Sequence, residues 1–467
     1  MKNLTLRKAL LVFLFSIPLV SCEEFVDLET PNYKITSQEV FNSDETAISA
    51  MTGIYNQLAL ASFSNGSTSS VTFLAGLSAD NVQNIRSTNL SRTEFERHQI
   101  NPDNTLNLSL WSSAYNIIYL TNALLEGIEG SDAISADVRS RLEGEAKFVR
   151  AFTYFYLVNL YGDVPLILST DFRENEVASR TSEEVIYQQI ISDLQTSLNS
   201  LGEEYLNGER TTVTRLSAVA LLARVYLYLE DWQLAEDFSS QIIAQEGKYE
   251  LLENVNDVFL ANSKEAIWQI SPIGRGNIST HTNEGNIFII HPVFSFFASV
   301  KLNENLVQNF DPDDKRLSNW IGNNSSLNAF YSYKYKIWNS SEQPIIEYSM
   351  VLRLAEQYLI RAEAYAAQGK IFEAIADINA IRTRAGLDLI PETVELEGAE
   401  LLNLIMEERR RELFAEWGHR WLDLSRIGKA GEIFEKDNPS WQPTDILYPI
   451  PAEERIKNNQ LTQNPGY

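Results

Sequence analysis

Two segments of the chain, ARVYLYLEDWQLA at residues 223–235 and AEAYAAQGKIFEA at residues 362–374, share one pattern of small and aromatic residues. In both, a tyrosine follows the first alanine by three residues, and another alanine follows the tyrosine by nine. Alanine allows two helices to approach closely, and the larger tyrosine fills the groove between them. Each segment therefore predicts a pair of helices joined by a short break.

The rest of the chain extends this helical pattern. Apolar residues recur at intervals of three and four through residues 47–58, 111–125, 142–160 and 186–198, which is the spacing of one buried helix face. The paired helices resemble tetratricopeptide repeats, although they are scattered along the chain rather than tandem. A third half-repeat, Ala151-x-x-Tyr154, is followed by GDVP at 162–165, which breaks the chain where a partner helix should begin. We therefore expect an all-α, tetratricopeptide-like scaffold at about residues 39–250 and 351–467, within a single domain of residues 39–467.

A loop-rich insertion is predicted between the two parts of the scaffold, at about residues 251–350. Residues 265–270 and 331–337 have the composition of short strands, and turns rich in glycine, asparagine and aspartate lie between them. A second polar, loop-rich stretch covers residues 64–105. Long loops on a rigid scaffold are usually functional, so both stretches are expected to carry binding residues.

The composition of the 467 residues excludes several classes of function. Lysine and arginine number 38 against 63 acidic residues, a net charge of −25, whereas a nucleic-acid partner requires a basic surface. A single cysteine rules out a disulfide framework and a cysteine-cluster metal site, and four scattered histidines leave little room for a zinc enzyme. No cofactor, metal ligand or nucleic-acid partner is therefore predicted, and calcium binding at the acidic turn 311–314 is left open.

The first residues have the features of an export signal. Three basic residues precede an apolar run over residues 9–20, which is too short to span a bilayer because a spanning helix needs roughly 20 residues. The sequence LVSC at residues 19–22 resembles the lipobox of bacterial lipoproteins, in which the cysteine is lipidated and becomes the new N-terminus. We therefore expect a signal peptide at residues 1–21, lipidation of Cys22, and a tether at residues 22–38 that joins the folded body to a membrane.

The C-terminal third contains the most distinctive sequences: IMEERRREL at 405–413, EWGHRWLDLSR at 416–426, LYPIP at 447–451 and QNPGY at 463–467. AKFVRA at 146–151 and NLYGDVP at 159–165 precede them. Together and in this order, these motifs strongly resemble the SusD/RagB family of surface glycan-binding lipoproteins of Bacteroidetes. The resemblance covers essentially the whole mature chain.

The resemblance implies a receptor rather than an enzyme. Such a protein captures oligosaccharide at the cell surface and passes it to a SusC-like TonB-dependent outer-membrane transporter, which it covers as a lid. Glu23 and Glu24 directly follow the predicted lipidation site, and in Bacteroidetes lipoproteins acidic residues there resemble a signal for display on the outer face of the outer membrane. The expected partners are the oligosaccharide, the transporter and, through the lipid anchor, the membrane.

Charged residues alternate in sign at helical spacing within the C-terminal motifs, and they could be mistaken for catalytic carboxylates. Each acidic residue has an arginine nearby to hold it ionised, and large apolar residues lie between them. We therefore expect an ion-pair network partly buried between helices. It comprises Glu408, Arg409, Glu412, Glu416, Arg420, Asp423 and Arg426.

A carbohydrate site needs flat aromatic faces for the C–H surfaces of the sugar and planar polar groups for its hydroxyls. Both loop-rich stretches supply such residues, and the polar, asparagine-rich neighbours of Trp320 and Trp338 make burial of those two side chains costly. Four other tryptophans lie in regular helix or strand patterns and are expected in the core: Trp111, Trp268, Trp417 and Trp421. The candidate ligand-binding residues are Trp320, Trp338, Tyr331, His281, Asn283, Asn81 and Arg86.

Two other functions remain open from the residues alone. An all-α glycoside hydrolase or lyase would need two carboxylates flanking one cleft, at roughly 5–9.5 Å separation, and a chain with 63 acidic residues could supply such a pair. A tetratricopeptide-type peptide-binding scaffold would need an exposed helical groove, whereas the repeats here are interrupted and lie beside bulky insertions.

Overall fold

Helices make up most of the regular structure in the computed structural model, which describes residues 40–276, 278–391, 396, 398–436 and 438–467. Residues Phe41–Tyr467 form one compact unit. The helices are α1 (Asp44–Leu58), α2 (Val71–Ser78), α3 (Leu90–Glu96), α4 (Thr105–Glu129), α5 (Ala136–Tyr161), α6 (Phe172–Asn175), α7 (Glu183–Ser200), α8 (Arg215–Tyr228), α9 (Trp232–Ile243), α10 (Asn283–Phe288), α11 (Glu304–Gln308), α12 (Lys315–Trp320), α13 (Leu354–Ala367), α14 (Ile371–Ala385), α15 (Gly398–Leu413), α16 (His419–Arg426), α17 (Ala430–Phe434) and α18 (Ala452–Lys457). The strands are β1 (Val82–Asn84), β2 (Val164–Pro165), β3 (Arg180–Thr181), β4 (Ala266–Ile270), β5 (Val300–Leu302), β6 (Ile321–Asn324), β7 (Ala329–Ser332) and β8 (Ser349–Arg353). The prediction of a helical scaffold with a few short strands is confirmed.

The two segments that share the alanine–tyrosine pattern fold as helical hairpins. The first forms α8 and α9, and the second forms α13 and α14. Tyr226 of α8 stacks on Phe238 of α9, with ring centroids 5.5 Å apart and an interplanar angle of 7°. Ala223 and Ala235 are fully buried in the same cluster. The small residues therefore allow close approach and the tyrosine fills the space between the helices, as the pattern predicts.

The hairpins are distant in sequence but adjacent in space. Helix α9 packs against α13, and one hydrophobic cluster contains Leu227 of the first hairpin and Ile360 of the second. Helix α5 also has a partner, because it packs along α7. The turn at Gly162, where φ is +69°, ends α5. The partner helix, α7, begins only at Glu183. The half-repeat at residues 151–154 therefore belongs to a complete helix pair.

Short antiparallel strand pairs organise the loop-rich insertion. Strands β4 and β8 pair with Ala266 opposite Arg353, so that the start and the end of the insertion meet beside the helices. Strands β1 and β5 pair with Val82 opposite Leu302. This second pair brings the loop-rich stretch at 64–105 against the insertion at 251–350, although the two stretches are far apart in sequence.

One of the two strands predicted in the insertion is confirmed and the other is only partly right. Residues 266–270 form β4, but the strand predicted at 331–337 ends at Ser332. Beyond that residue the side chains turn to separate partners in the core. The Lys334 ammonium donates to Glu416 at 2.5 Å, and the Tyr335 hydroxyl accepts a hydrogen bond from the Met350 amide at 2.9 Å. Residues 334 and 335 are therefore fixed by side-chain hydrogen bonds to the core, not by pairing with a neighbouring strand.

The predicted signal peptide, the lipidation site at Cys22 and the tether at residues 22–38 lie outside the described residues. Among the helices that are described, none combines the length and the apolar character needed to cross a bilayer.

Candidate functional site

Three exposed phenylalanines and two half-buried rings form a surface on the insertion, which we call the aromatic surface: Phe294, Phe296, Phe297, His291 and Trp338. The three phenylalanines are 42%, 61% and 63% exposed, and the neighbouring Val293 is 71% exposed. Fully burying a phenylalanine side chain is worth roughly 1.5–3 kcal/mol, so a cluster of such rings in water forgoes a large part of that stabilisation. Contiguous apolar surface of this kind usually marks a binding site.

The rings lie in two groups that share Phe294. On one side, Phe294 stacks on Trp338 with centroids 5.9 Å apart and an angle of 20°, and His291 lies 4.5 Å from the same indole. On the other side, Phe296 and Phe297 lie 4.4 Å apart, and Phe296 meets Phe294 edge to face at 6.1 Å. The surface therefore offers ring faces in several orientations, as needed to contact more than one unit of a chain-like ligand.

Hydrogen bonds hold the loop that carries these rings. Nδ1 of His291 accepts from the amides of Val293 and Phe294, at 3.2 and 3.1 Å. The Asn286 amide group, on α10, donates to the carbonyl oxygen of Trp338 at 2.9 Å. The aromatic side chains are thus presented on an ordered backbone, which reduces the entropy lost when a ligand binds.

Two further predicted residues, Arg86 and Tyr331, lie next to the aromatic surface. The exposed Arg86 guanidinium donates from Nε to the carbonyl oxygen of Ala298, at 3.1 Å, directly after Phe297. Tyr331 packs on a small buried cluster that includes Ala298 and Ile290, which flank the aromatic loop. Arginine offers a planar array of donors suited to hydroxyl groups. The structure therefore places Arg86 and Tyr331 beside the loop whose Phe294 stacks on Trp338.

The prediction for Trp320 is wrong. This tryptophan is fully buried, its Nε1 donates to the carbonyl oxygen of Val255 at 2.8 Å, and Phe259 packs edge-on against it at 5.6 Å. The Lys334 ammonium lies 4.7 Å from the ring centroid. The polar residues beside Trp320 in the sequence therefore do not keep it exposed, because the Val255 carbonyl accepts from the only polar atom of the indole.

Three polar candidates hold loops together instead of facing a ligand. Asn81 is buried, and its side-chain oxygen accepts from Nε of Arg410 at 2.9 Å. His281 is also buried, and its Nδ1 accepts from the amide of Ser340 at 3.0 Å. Burial lowers the pKa of His281, so the ring is neutral at pH 7. These contacts correct the prediction that either side chain faces a ligand.

Asn283 is the third of these polar candidates. It is half-buried, donates to the carbonyl oxygen of Asn65 at 2.7 Å and accepts from Arg275 at 2.5 Å. Both ends of its amide are engaged by the protein, which leaves less of its hydrogen-bonding capacity for a sugar. His281 and Asn283 instead brace the segment that supports the Trp338 loop.

The phenylalanines of the aromatic surface were missed by sequence reasoning. The sequence HPVFSFFASV at residues 291–300 contains a signal that could have revealed them. Its three phenylalanines fit neither the period of a helix nor that of a strand, so no single face could bury them all. Proline and serine beside them favour a loop, and a loop with three aromatic residues is a candidate binding loop.

The charged C-terminal motifs form a buried ion-pair network, as predicted. Arg353 contacts three carboxylates, those of Glu265, Glu412 and Glu416, at 2.9, 2.5 and 2.8 Å. Glu412 also pairs with Arg316 at 2.9 Å and Arg384 at 2.5 Å. All of these side chains are buried. The network lies between β8, α12, α14 and α15 and stabilises the packing of the insertion on the helices.

The charges of this network disfavour acid–base catalysis there. Burial alone would raise the pKa of Glu412, but the charges of Arg384, Arg353 and Arg316 lower it well below its usual range. The pKa of Glu416 is likewise lowered, against the effect of burial, by Arg353 and Lys334. A carboxylate held ionised in this way cannot donate a proton near pH 7. Over the described part of the chain, no three histidine, cysteine or acidic side chains are grouped so as to hold a metal ion.

Comparison with known proteins identifies relatives along the length of the chain. A family model described as "Starch-binding associating with outer membrane" matches residues 24–227, and one described as "SusD family" matches residues 318–467. A SusD-like protein of Formosa agariphila is 26% identical over 98% of this chain and 99% of its own length. The starch-binding protein SusD of Bacteroides thetaiotaomicron is 22% identical over 70% of this chain and 73% of its own length.

The fold is shared with solved structures. A laminarin-binding SusD-like protein superposes with a TM-score of 0.76, covering 91% of this chain and 100% of that chain at 24% identity. The two family matches lie on either side of the aromatic loop, and the helical hairpins and C-terminal motifs fall within or beside them. The two family matches and the full-length relative show that the chain belongs to the SusD/RagB family.

Proposed function

We propose that this protein is a non-catalytic cell-surface receptor that binds oligosaccharides on the aromatic surface and delivers them to a SusC-like TonB-dependent transporter. The observation that carries the proposal is the exposure of Phe294, Phe296 and Phe297 on one loop, beside Trp338 from a second loop. Ring faces in water gain contact area when the C–H face of a sugar covers them, and they lose little rotamer entropy in doing so. Arg86 supplies donors for hydroxyl groups at the edge of the same surface.

The names of the relatives support a glycan as the ligand class. One relative is a starch-binding protein and a structural neighbour binds laminarin. The net charge of −25 favours uncharged sugars over sulfated or uronate-rich ones, because like charges repel at long range. We therefore place neutral oligosaccharides first among the ligands to be tested.

The proposed location follows from the N-terminal sequence. Lipidation of Cys22 after cleavage of residues 1–21 would tether the folded body to the outer membrane, where the transporter lies. One family model is described as associating with the outer membrane. Replacing Cys22 with serine should therefore release the protein from the membrane fraction. Crosslinking in intact cells should join the wild-type protein to a barrel partner.

Calorimetry with the chain lacking residues 1–22 tests the ligand class and the site. Laminarin and starch oligosaccharides are the first ligands, followed by a wider glycan panel. The double variant Phe296→Ala/Phe297→Ala should lose at least tenfold in affinity for any glycan bound by the wild type, which is about 1.4 kcal/mol. Phe372→Ala is the matched control, since Phe372 is 65% exposed but lies on α14. Equal affinity of the double variant and the wild type would exclude the aromatic surface as the site.

A reducing-end assay separates the receptor from the alternative hydrolase. Incubation of the purified protein with each bound glycan should release no new reducing ends. New reducing ends that form only when the protein is present would show that it is a hydrolase and would exclude the receptor proposal. Hydrolysis requires a pair of carboxylates, which the aromatic surface does not provide.

A further inference from the structure

A cavity of about 180 Å³ lies against α1 and α5 and shares no lining residue with the aromatic surface. One part of its wall is apolar and includes Ile48, Met51, Leu142 and Ile270. Ile273, which is 54% exposed, lines the same cavity and marks its opening to solvent. A cavity of roughly 150 Å³ with apolar walls is large enough to bind a single six-membered ring.

The remaining wall is polar and includes Tyr55, Arg141, Glu145 and Thr212. Glu145 is 3% exposed, and its carboxylate lies 3.5 Å from Nε of Arg141. The Tyr55 hydroxyl accepts from the amide of Val213 at 3.2 Å. The cavity is thus amphipathic, with an apolar body and a polar group of side chains from three separate segments.

Two polar atoms of this wall make no hydrogen bond, although one of them, Nε of Arg141, lies at ion-pair distance from Glu145. Nε of Arg141 and Oγ1 of Thr212 are buried and make no hydrogen bond. A buried polar group that makes no hydrogen bond is destabilising, so such groups are rare in native proteins. A hydroxyl group on a bound molecule can both donate and accept, and it would satisfy donors and acceptors of this wall at once.

The charges of the wall select an uncharged ligand. An anion would meet the Glu145 carboxylate and a cation would meet the Arg141 guanidinium, and each would lose its hydration on entering. Burial raises the pKa of Glu145 to about 7, although a hydrogen bond with Tyr55 and the charge of Arg141 oppose this effect. The carboxyl group can therefore accept from a ligand hydroxyl when ionised and donate to it when protonated.

We propose that this cavity is a second binding site, for an uncharged single-ring molecule with an apolar body and a hydroxyl group. The ring would lie against Met51 and Leu142, and the hydroxyl would face Thr212 and Glu145. Phenol and cyclohexanol are suitable probes because they have this chemistry and this size. The proposal does not depend on glycan binding, since the two sites share no residue.

Methyl NMR of the mature chain labelled at methionine tests the proposal. Met51 lines the cavity, whereas Met350 lies in β8 and Met406 in α15, so the latter two are internal references. Titration with phenol or cyclohexanol at millimolar concentration should shift the Met51 methyl resonance saturably and leave the other two unchanged. No shift of Met51, or equal shifts of all three methyl groups, would overturn the proposal.

Two variants and a matched control locate the site. Ile273→Trp should block the opening and abolish the Met51 shift, whereas Ile278→Trp should not, since Ile278 is 83% exposed and does not line the cavity. Thr212→Val should weaken cyclohexanol binding by roughly fivefold, the equivalent of one hydrogen bond of about 1 kcal/mol. A Met51 shift that persists unchanged in both Ile273→Trp and Thr212→Val would exclude this cavity. Glycan affinity, measured on the same samples, should be equal in all of them.

Discussion

The indole of Trp338 lies nearly parallel to the ring of Phe294, with centroids 5.9 Å apart and planes inclined by 20°. Offset stacked pairs of this kind contribute about 0.5–1.5 kcal/mol beyond the area that they bury. The stack joins two loops that are more than forty residues apart in the sequence. Each ring therefore fixes the orientation of the other before a ligand arrives.

Trp338→Ala should weaken glycan binding by roughly tenfold or more, because it removes one ring face and frees Phe294 to move. This loss corresponds to about 1.4 kcal/mol. Trp338→Phe keeps an aromatic ring and should recover most of the affinity. Calorimetry against one bound glycan measures both effects. If the alanine variant binds as tightly as the wild type, Trp338 supports the loop but does not contact the ligand.

Trp320→Ala should destabilise the protein without changing its affinity for glycan. Trp320 is fully buried against Phe259 and below the Lys334 ammonium. Removing a buried tryptophan typically costs about 3–5 kcal/mol. Urea unfolding measures the loss, and calorimetry at low temperature measures binding by the folded fraction. A loss of affinity at unchanged stability would return Trp320 to the binding site.

Glu412→Gln should lower the free energy of unfolding by about 3–5 kcal/mol, because it leaves buried arginines without their common counter-charge. Glu412 pairs with Arg316, Arg353 and Arg384. Lys457→Ala is the control, since its exposed pair with Glu453 is worth roughly 0–1 kcal/mol. Urea unfolding of both variants measures the difference. Similar values for both would show that the buried network adds little to stability.

Glu284→Gln should stabilise the protein increasingly as the pH rises from about 4.5 to 7. Burial raises the pKa of Glu284 to about 7, opposed by a hydrogen bond from Ser349 and by the charge of Arg275, while Glu347 acts with burial. Because the folded-state pKa lies above the unfolded one, the contribution of this group to stability is complete below pH 4.5 and is lost as the pH approaches 7. The loss is on the order of 3 kcal/mol.

Urea unfolding of the wild type and Glu284→Gln across this pH range gives the difference directly. Other groups that titrate, such as Glu145, are common to both proteins and cancel. A difference that stays constant with pH would show that the Glu284 carboxyl is ionised throughout, and that Arg275, only partly paired in this structure, compensates its charge.

The helical scaffold was predictable because its signals are local. In the alanine–tyrosine pattern, the tyrosine and the first alanine precede the last alanine by nine and twelve residues. All three lie within a single hairpin, such as α8 and α9. The ion-pair network was predictable for a related reason: its acids and arginines alternate along α15 and α16. Other partners, such as Arg316 from the insertion and Arg353 from β8, lie outside these helices, and no sequence pattern connects them to the C-terminal motifs.

The candidate binding residues were predictable only in part, because exposure depends on contacts between distant segments. Trp338 and Trp320 both have asparagine beside them in the sequence, yet Trp338 is only half-buried whereas Trp320 is fully buried. The carbonyl oxygen of Val255 makes the burial of Trp320 possible by accepting from its Nε1. In the same way, His281 depends on Ser340 for its hydrogen bond. Such partners become known only when the chain is folded.

The pairing of β4 with β8 places the two ends of the insertion side by side, with Ala266 opposite Arg353. A segment whose ends meet in this way can change in length and composition without pulling on the helices that hold it. The β4–β8 pair therefore holds the two ends of the segment together independently of its interior. A chimera that carries the equivalent segment of another SusD-like protein between Ala266 and Arg353 should therefore fold on the same helical scaffold.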